Sequence, residues 1–234
     1  MKRDVLLERF FTSMVSGDRA QARQIVDEVL DADCPADRIL TRLIWPTIEQ
    51  IQSLHRGDQL SRLAHHYATR LMRTLAEQMQ LRLEQAPRNG KKVLAVSGDD
   101  EMEELGAQIC SDLLEATGYT VYFAGGGIAN DEVINQAGEL EADVLLVFGS
   151  VPDTVPLTRQ MIDRMHDIGL APATQIVVGG GVFNRANGLA EEVGADLWGK
   201  DPEELVQSII ENPDQRMTPK QRTVGHKRRK KRAA

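Results

Sequence analysis

The sequence predicts an α/β protein with an all-α N-terminal part, a four-helix bundle followed by a five-stranded parallel sheet flanked by helices. Two observations carry this. Apolar residues recur at helical spacing through the first 87 residues, which contain only Gly17, Gly57 and three prolines. From residue 92 the pattern changes to short, nearly continuous apolar runs, each followed by an amphipathic segment, as strands buried on both faces and crossover helices require.

Leu6, Phe10, Phe11 and Met14 form the apolar stripe of a first helix, which Ser16, Gly17 and Asp18 break. In AQARQIVDEVLDA, Ala22, Ile25, Val26, Val29 and Leu30 share one face of a second. Pro35 sits near the first turn of a third, whose buried face runs from Ile39 to Ile51. HRGDQLS turns into the fourth, and short connections between helices imply antiparallel neighbours. APRNGKK marks the boundary between a bundle over 1–87 and a Rossmann-like domain over 91–212. KVLAVS, YTVYFA, DVLLVF, QIVVGG and ADLWG are the strands, with helices near 102–117, 130–140, 154–169, 184–193 and 202–211.

In such sheets ligands bind beyond the carboxyl ends of the strands. Those ends read SGDDEMEELG, AGGGIAND, GSVPDTVP and GGGVFNRANG, with glycine at or near the turn. No G-x-G-x-x-G or P-loop pattern is present. The carboxylates Asp99, Asp100, Glu101, Glu103 and Glu104 suit either a helix start favoured by the macrodipole or a site that attracts a cation. There is no G-x-S-x-G, no H-E-x-x-H and no base beside Ser150, so the sequence reads as non-enzymatic.

The net charge of −7 is uneven, because residues 213–234 hold nine Lys or Arg against Asp214, a local +8 that leaves −15 on the preceding 212 residues. That tail is expected to be disordered, and to act as an electrostatic arm for nonspecific nucleic acid or an acidic partner. The acidic body by itself disfavours nucleic acid. Cys34 and Cys110 lack metal or redox spacing and read as unpaired thiols. No apolar run approaches the roughly 18 residues of a membrane span. Without a recognisable leader either, the cytoplasm is the expected compartment.

The bundle, the sheet domain and the order of their loops resemble the cobalamin-binding modules of methionine synthase, of methyltransferase corrinoid proteins and of light-sensing cobalamin-dependent transcription regulators. The resemblance spans about residues 3–211. The family's D-x-H-x-x-G (or E-x-H-x-x-G) loop supplies the lower cobalt ligand. It falls on Glu101 to Gly106, where acid and glycine match but Glu103 stands in place of the histidine. Its S-x-L loop, which receives the displaced nucleotide tail, falls on Gly149, Ser150 and Val151 as a partial match. Its GG pair falls on Gly179 and Gly180, and Trp198 takes the place of its aromatic residue after GAD. In the bundle, His65-His66 stands where regulators carry the Glu-His pair that caps the cobalt's upper face. That makes His66 the first expected metal ligand and His55 the second.

Carboxylate is a harder ligand than the imidazole a Co(III) centre favours, so the resemblance implies atypical binding. A cobalamin could keep its own nucleotide base on the metal. Haem would need the same placement. These readings lead to an expected non-catalytic sensor or regulatory protein, acting through a partner protein or DNA and possible as a homo-oligomer. The alternatives are a corrinoid carrier for a methyltransferase and a ligand-free interaction scaffold.

Overall fold

A computed structural model describes residues 3–218. The chain divides into two units, Met1–Ala86 and Pro87–Ala234. The basic run that begins at Lys220 lies outside the described residues.

The first unit is helical, as expected. Helix α1 (Arg3–Ser16) packs against α2 (Arg19–Leu30), α4 (Trp45–Arg56) and α5 (Arg62–Gln80). Phe10, Met14, Ile25, Ile44, Ile51, Met72 and Leu75 form its buried centre. Side chains cap two of the helices. The Asp18 carboxylate accepts from the amides of Ala20 and Gln21 at 3.1 and 2.9 Å, and Ser61 Oγ accepts from Ala64 N at 3.1 Å. The third predicted helix is interrupted. The short α3 (Ala36–Ile39) leads through a π-helical turn (Leu40–Ile44) into α4. Pro46 explains the change, because it has no N–H to continue the α ladder and a widened turn precedes it.

The second unit carries five parallel strands, β1 (Lys92–Ser97), β2 (Thr120–Gly125), β3 (Val144–Phe148), β4 (Gln175–Gly179) and β5 (Leu197–Gly199), in the order β2-β1-β3-β4-β5. The crossovers are α6 (Glu101–Ala116), α7 (Asn130–Leu140), α8 (Thr154–Asp167), the short pair α9 (Gly181–Arg185) and α10 (Leu189–Val193), and the closing helix α11 (Pro202–Glu211). The single helix expected near 184–193 is two, split where Gly188 takes φ +79°.

Side chains alternate across the sheet. Leu94, Val96, Leu145, Val147, Ile176 and Val178 belong to one cluster with residues of α7, α8 and α10. Phe148 and Gly179 turn the other way, toward Gly106 of α6 and Leu205 of α11. Strand β2 is less buried than an apolar run suggests, since Tyr122 and Phe123 are exposed on this edge strand.

Order continues past the expected boundary at 212. Gln175 Nε2 donates to the carbonyls of Asn212 and Gln215 at 2.8 and 3.1 Å. The buried Asp196 carboxylate accepts from Ile176 N at 2.7 Å and Met217 N at 2.6 Å. Residues up to Met217 are thus held at the start of β4 and β5 and are no part of a disordered arm. Ending the chain at Asn212 removes a charge-assisted bond and is expected to lower the unfolding free energy by about 1.5–3 kcal/mol. Ending it at Thr218 leaves these bonds in place. Urea denaturation of the two truncations checks this, and equal midpoints would contradict it.

Candidate functional site at the carboxyl edge of the sheet

The strand order reverses between β1 and β3, and the loops that follow them form the switch point where such sheets hold ligands. The acidic stretch after β1 is spent locally. Asp100 caps α6, its carboxylate accepting from Met102 N at 2.9 Å and Glu103 N at 3.3 Å. Asp99 Oδ1 accepts from Gly127 N at 2.7 Å, which ties the first loop to the one after β2. Among the described residues no group of three or more His, Cys, Asp or Glu is placed to hold a metal ion. Of the acids in this loop, Asp100 is the one that caps the helix start, while Asp99 and Glu103 bond the loops after β2 and β3.

Glu103 stands in the first turn of α6 and is fully buried. Its Oε1 accepts from the backbone amides of Ser150 and Val151, the latter at 2.7 Å. Oε2 is also buried, lies over Gly98 where a Cβ would overlap it, and has no hydrogen-bond partner. Burial pushes the carboxyl above its ordinary value, the two amides pull it back, and the neighbouring Asp100 pushes it up again. Two converging N–H groups form a small anion nest, and the protein's own carboxylate fills it.

The loop after β3 is held from its other side as well. Ser150 Oγ accepts from Gly181 N at 3.3 Å, and Ser150 O accepts from Arg185 Nη2 at 2.5 Å. Gly180 has φ +100°, and a side chain there would run into the Gly149 backbone, so this glycine lets the turns after β3 and β4 touch. Gly106 and Gly179 face a common neighbour. A Cβ at Gly106 would stand 2.6 Å from Phe148 Cε1, and one at Gly179 would stand 2.6 Å from Leu205 Cδ1 and 3.1 Å from Phe148 Cδ2. The gap that two absent side chains leave is occupied by the ring of Phe148, itself buried. On the opposite face of the sheet a cleft of about 300 Å³ remains, with Val96, Val147 and Met161 among its apolar walls and Asp99 and Asp153 among its polar ones.

The edge thus brings together Glu103, Gly106, Gly149, Ser150, Val151, Gly179 and Gly180. Glu101 lies in the first turn of α6, half-buried, and Trp198 stands on the edge strand β5, 39% exposed. Sequence reasoning missed Phe148, which read as ordinary strand core, and Arg185. In the helical unit, His55 stacks on His65 with ring centroids 4.1 Å apart, while His66 meets His65 edge-on at 6.1 Å. The buried imidazole of His65 is the close neighbour of both.

Residues 91–207 match the B12 binding domain family, and residues 6–78 match a second B12 binding domain model. The chain belongs to the B12-binding domain family. Monomethylamine corrinoid protein 2 of Methanosarcina acetivorans is 21% identical over 88% of this chain and 96% of its own length. The structure of the Methanosarcina barkeri monomethylamine corrinoid protein superposes with a TM-score of 0.77 at 17% identity, covering 89% of this chain and 98% of that one. A methanol:cobalamin methyltransferase complex from the same organism matches at 13% identity and TM-score 0.50, over 93% and 83% of the two chains. These B12-binding relatives are named as corrinoid proteins and a methyltransferase complex. On that finding the expectation of a sensor or transcription regulator is corrected, and nothing in these relatives supports a nucleic-acid partner.

The corrinoid that this family implies fits the edge only in part. The glycine-bearing turns and the switch-point position suit it. The lower-ligand position does not, because Glu103 points inward onto the Ser150 and Val151 amides and has no imidazole to offer.

Proposed function

We propose that this B12-binding protein is a corrinoid carrier that presents its cofactor to a methyltransferase and carries out no bond chemistry itself. The observation that supports this reading best is the tandem match to two B12-binding models, cap first and sheet second, in a chain that spans 96% of a corrinoid protein of a methylamine system. The absence of a nucleophile and base pair among the sheet-edge residues agrees with a carrier, whose partner supplies the active site. Binding then rests on burial of a large apolar ring system, with polar groups fixing its orientation. Cobalamin is the ligand we favour over haem. Both cysteines are free, with Cys110 buried, which agrees with a reducing compartment such as the cytoplasm. No helix among the described residues is long and apolar enough to cross a membrane.

The protein is incubated in the dark with hydroxocobalamin and separately with methylcobalamin, then gel-filtered, and the visible spectrum of the protein fraction is recorded. Retention of about one corrinoid per chain is expected. A colourless protein fraction in both cases would overturn the carrier reading and leave a ligand-free scaffold.

A further inference from the structure

The sheet edge disagrees with the ligand that its family implies at two neighbouring places, and the two disagreements have one consequence. Gly106 on α6 and Gly179 at the end of β4 leave a gap on the α6 and α11 face of the sheet, and the ring of Phe148 fills it from between them. Directly at the mouth, the Glu103 carboxylate crosses from α6 to the loop after β3 and takes up the amides of Ser150 and Val151. Phe148 is 3% exposed and Glu103 0% exposed, so both residues that occupy this region are buried. This is the loop that, by resemblance, would receive a displaced nucleotide tail.

We infer that this chain has closed its tail slot with Phe148 and Glu103. It therefore takes its corrinoid with the nucleotide arm left outside the sheet and the arm's own base left on the metal. The inference rests on the carrier reading above. It follows from space and from hydrogen-bond capacity. Entry of a tail would require the Phe148 ring to leave a gap bounded by glycines and Leu205. It would also strip two backbone amides of the carboxylate that accepts from them, leaving buried donors unmatched.

Two measurements on the full chain test it. The first is the visible spectrum of bound hydroxocobalamin, which is expected to stay that of the base-on form. The second is competition by aquocobinamide, which lacks the nucleotide arm and is expected to bind within about threefold of cobalamin. A base-off spectrum in the bound state would overturn the inference while leaving the carrier reading intact, and so would cobinamide binding weaker by more than about tenfold.

The variant pair Glu103→His and Phe148→Ala with Glu103→His provides the complement. The single change is expected to keep the base-on spectrum because the ring still fills the gap. The double change restores an imidazole and a vacant slot, and is expected to turn the bound cobalamin base-off; because imidazole and benzimidazole give similar visible spectra, this is read in the Co(II) state by electron paramagnetic resonance, as a change of nitrogen hyperfine coupling on 15N-labelling of the protein. If the wild-type chain retains no corrinoid, the carrier reading falls and the double variant decides the closure alone. Gain of a base-off complex supports a plugged slot, and no gain in a variant with native far-UV circular dichroism overturns it.

Discussion

Phe148→Ala is expected to lower the stability of the sheet unit by about 3–5 kcal/mol, the range for removing a buried aromatic ring. The neighbours make the upper part of that range the expected result. Two of the groups around the ring are Gly106 and Gly179, which have no side chains to move into the void, and a third, Leu205, is anchored in α11. A cavity that cannot collapse keeps its full penalty in lost dispersion contacts. Phe148→Leu retains part of the volume and is expected to cost about 1–2 kcal/mol. The two tryptophans allow this to be read for the sheet unit alone, since Trp45 lies in the helical unit and Trp198 on β5. In a Trp45→Phe background, urea denaturation followed by Trp198 fluorescence gives the unfolding of the sheet. A loss below about 1 kcal/mol would mean that the surroundings close on the vacated space, and that the gap is not a preformed slot.

Most of the architecture was legible because it depends on periodicity, which burial imposes directly on sequence. The runs in KVLAVS, DVLLVF and QIVVGG are apolar between their first and last positions because β1, β3 and β4 are covered on both faces. What periodicity could not supply were breaks set by single residues, as at Pro46 and Gly188. The docking of Asn212 to Met217 was equally invisible, because it is made by backbone groups that Gln175 and Asp196 select.

The site was legible in position but not in state. Its loops were placed by the carboxyl-edge rule, yet the direction of Glu103 and the occupant of the glycine gap are properties of packing. One signal for Glu103 was available. Reading back from Cys110 at helical spacing gives Ala107, Gly106 and Glu103, which puts the glutamate on the buried stripe of α6 and not on its acidic face. For Phe148 there was no comparable signal, since an aromatic at the end of an apolar strand packs somewhere in every case.

Glu103→Ala is expected to destabilise the sheet unit by about 2–4 kcal/mol at pH 7, because the amides of Ser150 and Val151 lose their acceptor and one of them at least stays buried. Glu103→Gln retains a carbonyl oxygen for those amides and separates that effect from charge. Burial holds the folded carboxyl above its ordinary value of 4.5, so the native chain binds this proton at a pH where the unfolded chain does not. Unfolding then releases a proton, and stability falls as pH rises across that window. The contribution is fully present below about 4.5, is lost as pH climbs through the raised folded value, and is flat above it. Glutamine cannot titrate, so the difference in unfolding free energy between the wild-type and Gln chains isolates this group from the other carboxylates. Acidification from pH 7 toward 5 is expected to move that difference in favour of the wild type, as measured by urea denaturation at several pH values. A difference that is constant with pH, or that moves toward the Gln chain on acidification, would mean that the amides of Ser150 and Val151 outweigh burial and that Glu103 is held as a stabilised anion.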